Sequence, residues 1–524
     1  MQRNETNSIA ALKNFENVAW TLGNRKRFER FIKKASGSED YEIVKSSKHR
    51  TVVRIEDFYV KIFRHSNLIG KLKLRFHNMP WREWENARKL HDLTRLTAEP
   101  IAYGESGDFS YFVSESLQPC KPFSIFIDRN LSRLSSKQKK QLSIRFLEFL
   151  GKLRESGFFQ PDFHLDNILV KETAEGYRFY IVDLHRASFA KAPLTFSRWA
   201  EQLTYILPCF EFLPYADLRR FWVILKTRYP EMDEYFSRIL EGSYARMRRH
   251  WRKKDRKPPI DRYKIRHHKF QGYVKNEKIP EALRTDLVEE PENLFSFSTY
   301  TYKDSRSAKI SIIDYQKKRY IFKRYNRRGL LHTLKYTLRK SRALTHWEKS
   351  IKFAARSLPT PEILAALEER KSGILERSYI LSELVGRGAE NFEAHLQYLE
   401  TNSPESLKHI TLLLWEMHQR GIYHGDAKVS NFIYDPSVTK YRYFIIDLDG
   451  SRFKRSVNTL ERLSDLVDLA SSIEFLNLVK NPSEIIFNYY FSLGKIEHKN
   501  LRLKKKLFLR MVEKKLAHKR RRQL

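Results

Sequence analysis

The stretch GIYHGDAKVSNFI at residues 421–433 decides the fold of this chain, together with YFIIDLDG at residues 443–450. In the first stretch, Asp426 is followed five residues later by Asn431. The second is an apolar, β-prone run that ends in Asp447, sixteen residues after Asn431. One amide and two carboxylates therefore flank a turn and a strand, a pattern that can bring all three into one cleft.

The same set occurs earlier in the chain, in GFFQPDFHLDNILV at residues 157–170 and YIVDLH at residues 180–185. Asp162, Asn167 and Asp183 stand at the same intervals as their later counterparts. Each aspartate taken singly is more often a helix cap or a turn residue. Two ordered sets with equal spacing are hard to obtain by chance, so we interpret them as functional.

Phosphoryl transfer requires this combination of side chains. One carboxylate orients and deprotonates the attacking hydroxyl, while an amide oxygen and a second carboxylate hold Mg²⁺ against the phosphates of ATP. We therefore predict Asp426 and Asp162 as catalytic bases. The predicted ligands of Mg²⁺ are Asn431, Asp447, Asn167 and Asp183.

Each set is preceded by a strand that carries a lysine, Lys61 in FYVKIF at residues 58–63 and Lys323 in RYIFKRY at residues 319–325. A lysine in a strand usually faces solvent. Here each stands where a kinase places the lysine that binds the α- and β-phosphates of ATP. Lys323 lies 262 residues after Lys61, and the two aspartates of each set lie 264 residues apart from their counterparts, so the whole pattern repeats.

Further residues complete the predicted ATP site. A kinase lysine needs a carboxylate on the next helix, which Glu83 or Glu85 could supply in the first copy and Glu348 in the second, where His346 takes the place of Glu83. Neither copy has a Gly-x-Gly-x-x-Gly loop, so polar turns are predicted to hold phosphates, with an ordinary hairpin as the alternative. The remaining predicted nucleotide-binding residues, in these turns and in the strands that lead to the hinges, are Ser46, Ser47, Ser305, Arg306, Ser307, Glu115 and Glu383.

The repeat predicts an α+β protein of two tandem protein-kinase-like bilobal domains, each with a small β-rich N-lobe and a helical C-lobe. Residues 1–40 are predicted as a polar, partly helical extension and residues 41–250 as the first domain. A basic linker with two prolines, 251–262, leads to the second domain, 263–500. Residues 501–524 form a basic amphipathic tail.

The charge of the chain predicts an anionic partner. Lys and Arg number 99 and Asp and Glu 62, a formal net charge of +37, which suits nucleic acid, an acidic membrane or a phosphorylated substrate. Apolar runs stay well short of the ~18 residues that span a bilayer, and residues 1–6 lack the layout of a secretion signal. Cys120 and Cys209 form no Cys-x-x-Cys pair, so we expect a cytosolic, reduced protein with both thiols as small core residues.

The motifs resemble those of the bacterial lipopolysaccharide core kinases, the Kdo and heptose kinase family of protein-kinase-like fold. The resemblance implies ATP- and Mg²⁺-dependent phosphorylation of a sugar hydroxyl on the inner core attached to lipid A. Gln160 and Pro161 stand where the family commonly has His followed by Arg or Gly, so activity is expected more strongly of the second copy than of the first. The matching stretches are KRYNRRGL (323–330), HGDAKVSN (424–431) and IDLD (446–449), and in the first copy REW (82–84), DFHLDNIL (162–169) and VDLHR (182–186).

Two segments, residues 326–335 and 501–522, mix cations with leucines at helical spacing. Such segments can lie on an anionic membrane, each cation adding ~1 kcal/mol near the surface, and a solvated basic helix end is the alternative. The resemblance implies a protein peripheral on the cytoplasmic face of the inner membrane, with no specific nucleic acid partner. Two other functions stay open: an atypical protein kinase with an RNA-binding basic surface, and a membrane-associated tandem pseudokinase scaffold.

Overall fold

The computed structural model of the protein describes residues 18–37, 41–47, 50–65, 78–206, 215–256, 263–326, 339–386, 397, 400–401, 403–435, 438, 441–477, 479–493 and 500–521. The chain forms two compact units, Met1–Ser243 and Tyr244–Leu524. Both units combine helices with antiparallel sheets, which confirms the α+β class. The finer assignment to two tandem kinase-like bilobal domains, and the boundaries given for them, stay predictions.

The first unit opens with a six-stranded antiparallel sheet in the order β1-β5-β6-β4-β3-β2. In the third strand, RTVVRI, every second residue is buried, as expected for a strand with one face on a core. Helix α1 (Arg25–Gly37) packs against the sheet through Phe31. Residues within the predicted extension 1–40 thus supply an edge strand and a helix to this unit. The strands are β1 (Ala19–Leu22), β2 (Glu42–Ser46), β3 (Arg50–Ile55), β4 (Phe58–Arg64), β5 (Pro100–Ser106) and β6 (Phe109–Glu115).

Helix α2 (Met79–Thr94) connects strands β4 and β5, and the rest of the first unit is largely helical. Helix α4 begins at Ser135, whose side chain and that of Gln138 form a reciprocal capping box. The remaining elements are β7 (Lys121–Pro122), α3 (Phe123–Asn130), α4 (Ser136–Glu155), β8 (Phe158–Phe159), β9 (Ile168–Thr173), β10 (Gly176–Ile181), β11 (Ser188–Phe189), α5 (Phe196–Ile206), α6 (Tyr215–Arg228) and α7 (Phe236–Lys254). Cys120 is half-buried, and burial raises the pKa of its thiol to about 11; Cys209 lies outside the described residues.

The boundary between the two units falls inside helix α7, ahead of the predicted linker 251–262, of which residues 257–262 lie outside the described ranges. The second unit then has a seven-stranded antiparallel sheet in the order β12-β13-β17-β18-β16-β15-β14. Helix α9 (Arg342–Ala354) connects β16 and β17, as α2 connects β4 and β5. The earlier elements are β12 (Lys264–His267), β13 (Phe270–Val274), α8 (Glu281–Glu289), β14 (Ser298–Ser305), β15 (Ala308–Tyr315), β16 (Lys318–Tyr325), β17 (Ile363–Lys371) and β18 (Ile374–Glu383).

The later part of the second unit is mostly helical and carries the motif residues on short strands and turns. Short strand pairs, β19 with β22 and β20 with β21, bracket the two motif turns. The elements are α10 (Ser403–Gln419), β19 (Ile422–Tyr423), β20 (Phe432–Tyr434), β21 (Tyr443–Ile445), β22 (Arg452–Phe453), α11 (Thr459–Leu476), α12 (Pro482–Ser492) and α13 (Leu501–Arg521).

The predicted basic tail contains helix α13, which packs on the second unit. Phe508 and Val512 are buried, and the Phe508 ring lies 5.3 Å from that of Phe487 on α12. Leu503 and Leu507 remain exposed on another face of the helix. Throughout the described ranges, every helix is too short or too polar to cross a bilayer. The other predicted membrane segment, 326–335, lies outside the described residues except for Asn326.

A buried histidine joins three helices of the second unit. His418 on α10 lies 3.0 Å from a carboxylate oxygen of Asp465 on α11 through Nε2, and 2.6 Å from the hydroxyl of Tyr490 on α12 through Nδ1. A neutral imidazole can donate to the carboxylate and accept from the hydroxyl. Burial lowers the pKa of His418, and the nearby charges of Arg462 and His424 act in the same direction, while Asp465 offsets part of the effect.

We expect the second unit to lose stability as the pH falls below about 6.5, the ordinary pKa of histidine. Below that pH the unfolded chain protonates His418, whereas the folded protein holds it neutral. The unfolded state then binds more protons, so the free energy of unfolding falls with the pH. Urea denaturation of the wild type and of His418→Gln at a series of pH values measures the effect.

The pH dependence of stability should be weaker in His418→Gln, by up to about 1.4 kcal/mol per pH unit for the one proton removed. His518→Gln, on the exposed side of helix α13, is the matched control and should follow the wild type. Equal pH dependence in all three proteins would show that His418 titrates normally in the fold.

Candidate active site

The turn that carries Asp426 is held from beneath by Asp465, a fully buried residue of helix α11. One carboxylate oxygen of Asp465 accepts the backbone N–H of His424 at 2.8 Å, and the other accepts that of Gly425 at 2.9 Å. His418 contacts the same carboxylate. Hydrogen bonds to an ionised group are about twice as strong as neutral ones, so this one side chain fixes the approach of the chain to Asp426.

Gly425 is required by the geometry of this turn. Its φ is +78°, in the left-handed region that favours glycine, and a Cβ there would lie 2.9 Å from the carbonyl oxygen of Gly450. The following Asp426 is linked to Asn431, whose amide nitrogen donates to the Asp426 carbonyl at 2.7 Å and to its carboxylate at 3.2 Å. The ammonium of Lys428 lies 3.0 Å from the same carboxylate. The predicted base and one predicted metal ligand are therefore in direct contact.

Asp447 also stands in a strained conformation, with φ 54° and ψ 62° in the left-handed region. The backbone just before it is tied to the other motif, because Ile446 donates its N–H to the carbonyl of Asn431 at 2.9 Å. The carboxylate of Asp447 lies 3.9 Å from the ammonium of Lys323. The structure thus brings together four predicted residues of the second copy: Lys323, Asp426, Asn431 and Asp447.

The glutamate expected to pair with Lys323 is not its partner. Glu348 forms an ion pair with Lys340 instead. The pKa of Lys323 is lowered by burial, and the charges of Asp449 and Asp447 offset part of that effect. The negative charge near this lysine therefore comes from the loop after β21 and not from helix α9.

Asp449 is clamped by helix α9 and was missed as a functional residue. Arg342 donates to its carboxylate from Nε at 3.1 Å, and Nδ1 of His346 lies 3.3 Å from it. Burial would raise the pKa of Asp449, but the hydrogen bond with His346 and the charges of Lys323 and Arg342 hold it well below the usual range. The helix, the strand lysine and the predicted metal loop are thus joined through one carboxylate.

In the second unit the helix supplies a histidine, His346, and the loop an acid, Asp449. In the first unit these two residue types are exchanged. Glu83, on helix α2, forms the ion pair with Lys61, whereas Glu85 is exposed. His185 stands two residues after Asp183, where Asp449 follows Asp447 in the second unit. The exchange is visible in the sequence, where His346 and Asp449 align with Glu83 and His185. Its consequence, which residues these side chains contact, is visible only in the structure.

Asp183 has the same left-handed backbone as Asp447, with φ 63° and ψ 59°. Its carboxylate is already bound by two protein side chains: Nη1 of Arg50 lies 3.1 Å away and Nδ1 of His185 2.8 Å. Burial would raise the pKa of Asp183, but the hydrogen bond with His185 and the charges of Lys61 and Arg50 hold it well below the usual range. Its side chain is 19% exposed, against 39% for Asp447.

Ligand atoms from three residues of the first unit, Glu83, Asp183 and His185, lie within 4.8 Å of one another, a grouping that could hold a metal ion. Lys61 and Arg50 bind two of the same side chains. A cation entering this cluster would have to compete with them.

The loop before Asp162 is also built differently. Gln160 donates its backbone N–H to the side chain of Gln202 at 3.1 Å, so a neutral amide occupies the role of Asp465. Pro161 replaces Gly425 and has no N–H to donate. Asn167 still donates from its amide nitrogen to the Asp162 carbonyl, at 3.1 Å. The local turn is kept, while the charged support beneath it is lost.

The remaining predicted nucleotide-binding residues lie in strands and turns of the two large sheets. Ser47 exchanges hydrogen bonds with the backbone of Arg50, and Ser46 ends strand β2. Glu115 pairs with Arg27 at 3.0 Å, and Glu383 donates its N–H to the Glu362 carbonyl. Ser305, Arg306 and Ser307 form the turn between β14 and β15, where the two serine hydroxyls lie 3.2 Å apart. Their roles toward ATP stay predictions.

Comparison with known proteins finds a match to a family model within the second unit. Residues 282–490 match the model of the lipopolysaccharide kinase (Kdo/WaaP) family. The lipopolysaccharide core heptose(I) kinase WaaP of Pseudomonas aeruginosa is 27% identical over 127 residues, which cover 22% of this chain and 47% of that protein. The match thus spans about half the length of this relative.

Two solved structures are similar to parts of the chain. WaaP in complex with acyl carrier protein has 20% identity and a TM-score of 0.32, over 42% of this chain and 96% of that one. WbdD bound to the kinase inhibitor LY294002 has 19% identity and a TM-score of 0.23, over 32% and 36% of the two chains. The family match and the geometry of Lys323, Asp426, Asn431 and Asp447 fall in the same unit.

Proposed function

We propose that the second unit transfers the γ-phosphate of ATP to a sugar hydroxyl, on Kdo or heptose, of the lipopolysaccharide inner core. The observation that carries this proposal is that Asp447 lies 3.9 Å from Lys323 while Asn431 hydrogen-bonds to Asp426. A backbone hydrogen bond from Ile446 to Asn431 joins the two pairs, so the groups that phosphoryl transfer needs are brought together. The family match supplies the class of acceptor.

In this reaction Asp426 would orient the acceptor hydroxyl and take its proton. Lys428 and Asn431 hold the Asp426 carboxylate in place, so the base needs little reorganisation when the acceptor arrives. Lys323 would bind the phosphates of ATP. Burial lowers its pKa, and the charges of Asp449 and Asp447 offset part of that effect.

The donor set fits Mg²⁺. Asp447 offers a carboxylate, and Asn431 makes its two hydrogen bonds to Asp426 through the amide nitrogen, which leaves the amide oxygen as its ligand atom. Hard oxygen ligands of this kind are those that Mg²⁺ prefers. The ion, when bound, would neutralise phosphate charge that develops during transfer.

We further propose that the first unit is not a second catalyst. Arg50 already forms an ion pair with Asp183, His185 lies within hydrogen-bond distance of it, and Gln202 and Pro161 replace the charged support of the catalytic turn. A metal ion would have to displace a guanidinium from a carboxylate, a charge-assisted contact that is costly to break. The first unit thus has the same backbone conformation at its loop aspartate as the second unit, but different charged groups around it.

Replacing each proposed base tests this assignment. We expect Asp426→Asn to lower kcat for phosphorylation of purified core–lipid A by about 10²–10⁴-fold, the usual contribution of a general base. Asp162→Asn, the matched change in the first unit, should leave kcat unchanged. Phosphate incorporated from γ-labelled ATP, with mass spectrometry of the glycolipid, measures the reaction.

Loss of activity in Asp162→Asn with retention in Asp426→Asn would reverse the assignment of the two units. If the label is found in protein and not in glycolipid, the second unit is a protein kinase and not a sugar kinase. Core glycolipid from cells lacking the gene should lack one phosphate, because one unit acts.

The number of nucleotide sites gives a second test. We expect isothermal titration with Mg²⁺ and a non-hydrolysable ATP analogue to find one site per chain. Asp447→Asn should abolish that binding, because it removes the carboxylate that faces Lys323. Asp183→Asn, the matched change, should leave it intact. Two equivalent sites, or loss of binding in Asp183→Asn alone, would contradict the proposal for the first unit.

We also propose that helix α13 lies on an anionic membrane, at the cytoplasmic face where core sugars are assembled. Leu503 and Leu507 share an exposed face with Lys506, Arg510 and Lys514. Apolar area and cations on one exposed face favour binding to the surface of an anionic bilayer.

Sedimentation with vesicles measures this attachment. We expect the wild type to bind phosphatidylglycerol vesicles and not phosphatidylcholine vesicles, and Leu503→Ser/Leu507→Ser to bind the former much less. Leu460→Ser, at an equally exposed leucine of helix α11, is the matched control. If the double variant binds as the wild type does, the helix does not carry the attachment.

A further inference from the structure

Helix α13 turns a second, basic face toward the catalytic turn. Phe508 and Val512 fix the helix against the unit. One and two turns beyond them, the ammonium of Lys515 contacts the carboxylate of Asp468, and that of Lys519 lies 5.8 Å from the centre of the Phe475 ring. Both lysines therefore reach helix α11, the helix whose Asp465 holds the turn before Asp426.

The two lysines share the electrostatic environment of the catalytic carboxylate. Burial lowers the pKa of Lys515 and of Lys519, and the charge of Lys428 lowers both further. Lys515 also repels Lys519. Asp426 acts on both in the opposite direction. The geometry agrees: Val429, next to Lys428, donates its N–H at 2.9 Å to the hydroxyl of Ser472, which lies on helix α11 between Asp468 and Phe475.

The reaction proposed for Asp426 does not need this charge. Lys428 and Asn431 are enough to hold the Asp426 carboxylate in place. Each further cation nearby makes that carboxylate a weaker acceptor of protons. Asp426 and Asp468 offset part of the repulsion among the three lysines, and an anion that enters among them would offset more of it. Both Lys428 and Lys515 remain accessible, with side chains 46% and 41% exposed.

We propose that Lys515 and Lys519, with Lys428, form a binding site for an anionic substituent of the acceptor, a phosphate or a carboxylate carried close to the hydroxyl that is phosphorylated. The site would hold the acceptor with its hydroxyl at Asp426 and would select charged core sugars over neutral ones. This inference rests on the function proposed for the second unit. Lys515 and Lys519 are then positioning residues supplied by a helix outside the catalytic motifs.

Direct binding and kinetics together test the site. The probe is a fluorescently labelled, deacylated inner-core oligosaccharide that retains its phosphates and carboxylates, so that membrane attachment plays no part. We expect Lys515→Ala/Lys519→Ala in the full chain to raise both the Kd and the KM for this probe by about tenfold or more. The KM for ATP should stay unchanged. Lys137→Ala/Lys140→Ala removes two charges from the exposed face of helix α4 in the first unit and should behave as the wild type.

Two further variants separate binding from folding. Lys519→Ala leaves the Lys515–Asp468 pair intact and should still weaken binding of the oligosaccharide. Lys515→Arg/Lys519→Arg keeps the charge and should restore most of it. A chain with unchanged Kd and KM in both alanine variants, while phosphate transfer proceeds, overturns the site but not the proposed function. A wild type that binds the oligosaccharide through these lysines without phosphorylating it overturns the proposed function and leaves the site standing.

Discussion

A buried ammonium group on the central sheet is the constraint around which the second unit is arranged. A charge removed from water is costly unless opposite charge surrounds it, and Lys323 is largely buried in strand β16. Asp447 and Asp449 supply the opposite charge, and Asp449 is in turn bound by Arg342 and His346 of helix α9. Sheet, helix and loop must therefore come together in one arrangement, and that arrangement also brings the loop to Asn431, next to Asp426.

The two units meet this requirement with opposite distributions of charge. In the first, the acid is on the helix and the histidine on the loop, so Glu83 pairs with Lys61 and His185 contacts Asp183. In the second, the histidine is on the helix and the acid on the loop. In the first site Arg50 forms an ion pair with the loop aspartate, while the loop of the second site carries an additional carboxylate, Asp449. A cation that bound the first site would have to compete with Arg50, even though the backbone of both aspartates is the same.

Helix α13 carries the lysines that we propose to bind the acceptor. Its apolar residues fix it to the unit, which positions Lys515 and Lys519 over helix α11. The net charge of +37 predicted an anionic partner without saying where it would bind. The packing of helix α13 places Lys515 and Lys519 on the helix that supports the catalytic turn. We propose that their charge there contributes to substrate selection as well as to solubility.

The sequence by itself determined the α+β class, the family resemblance and the motif residues Lys323, Asp426, Asn431 and Asp447. These were accessible because a turn and a strand of fixed length carry them, so their spacing is a local property of the chain. Only the tertiary structure decided their partners. Asp449 replaces Glu348 as a counter-charge to Lys323, Asp465 holds the catalytic turn, and Arg50 binds Asp183. The contacts of Asp465 and Arg50 join residues about 40 and 133 positions apart. Sequence periodicity does not predict such contacts. The chain has many similar charged side chains, and packing decides which of them come within reach of each other.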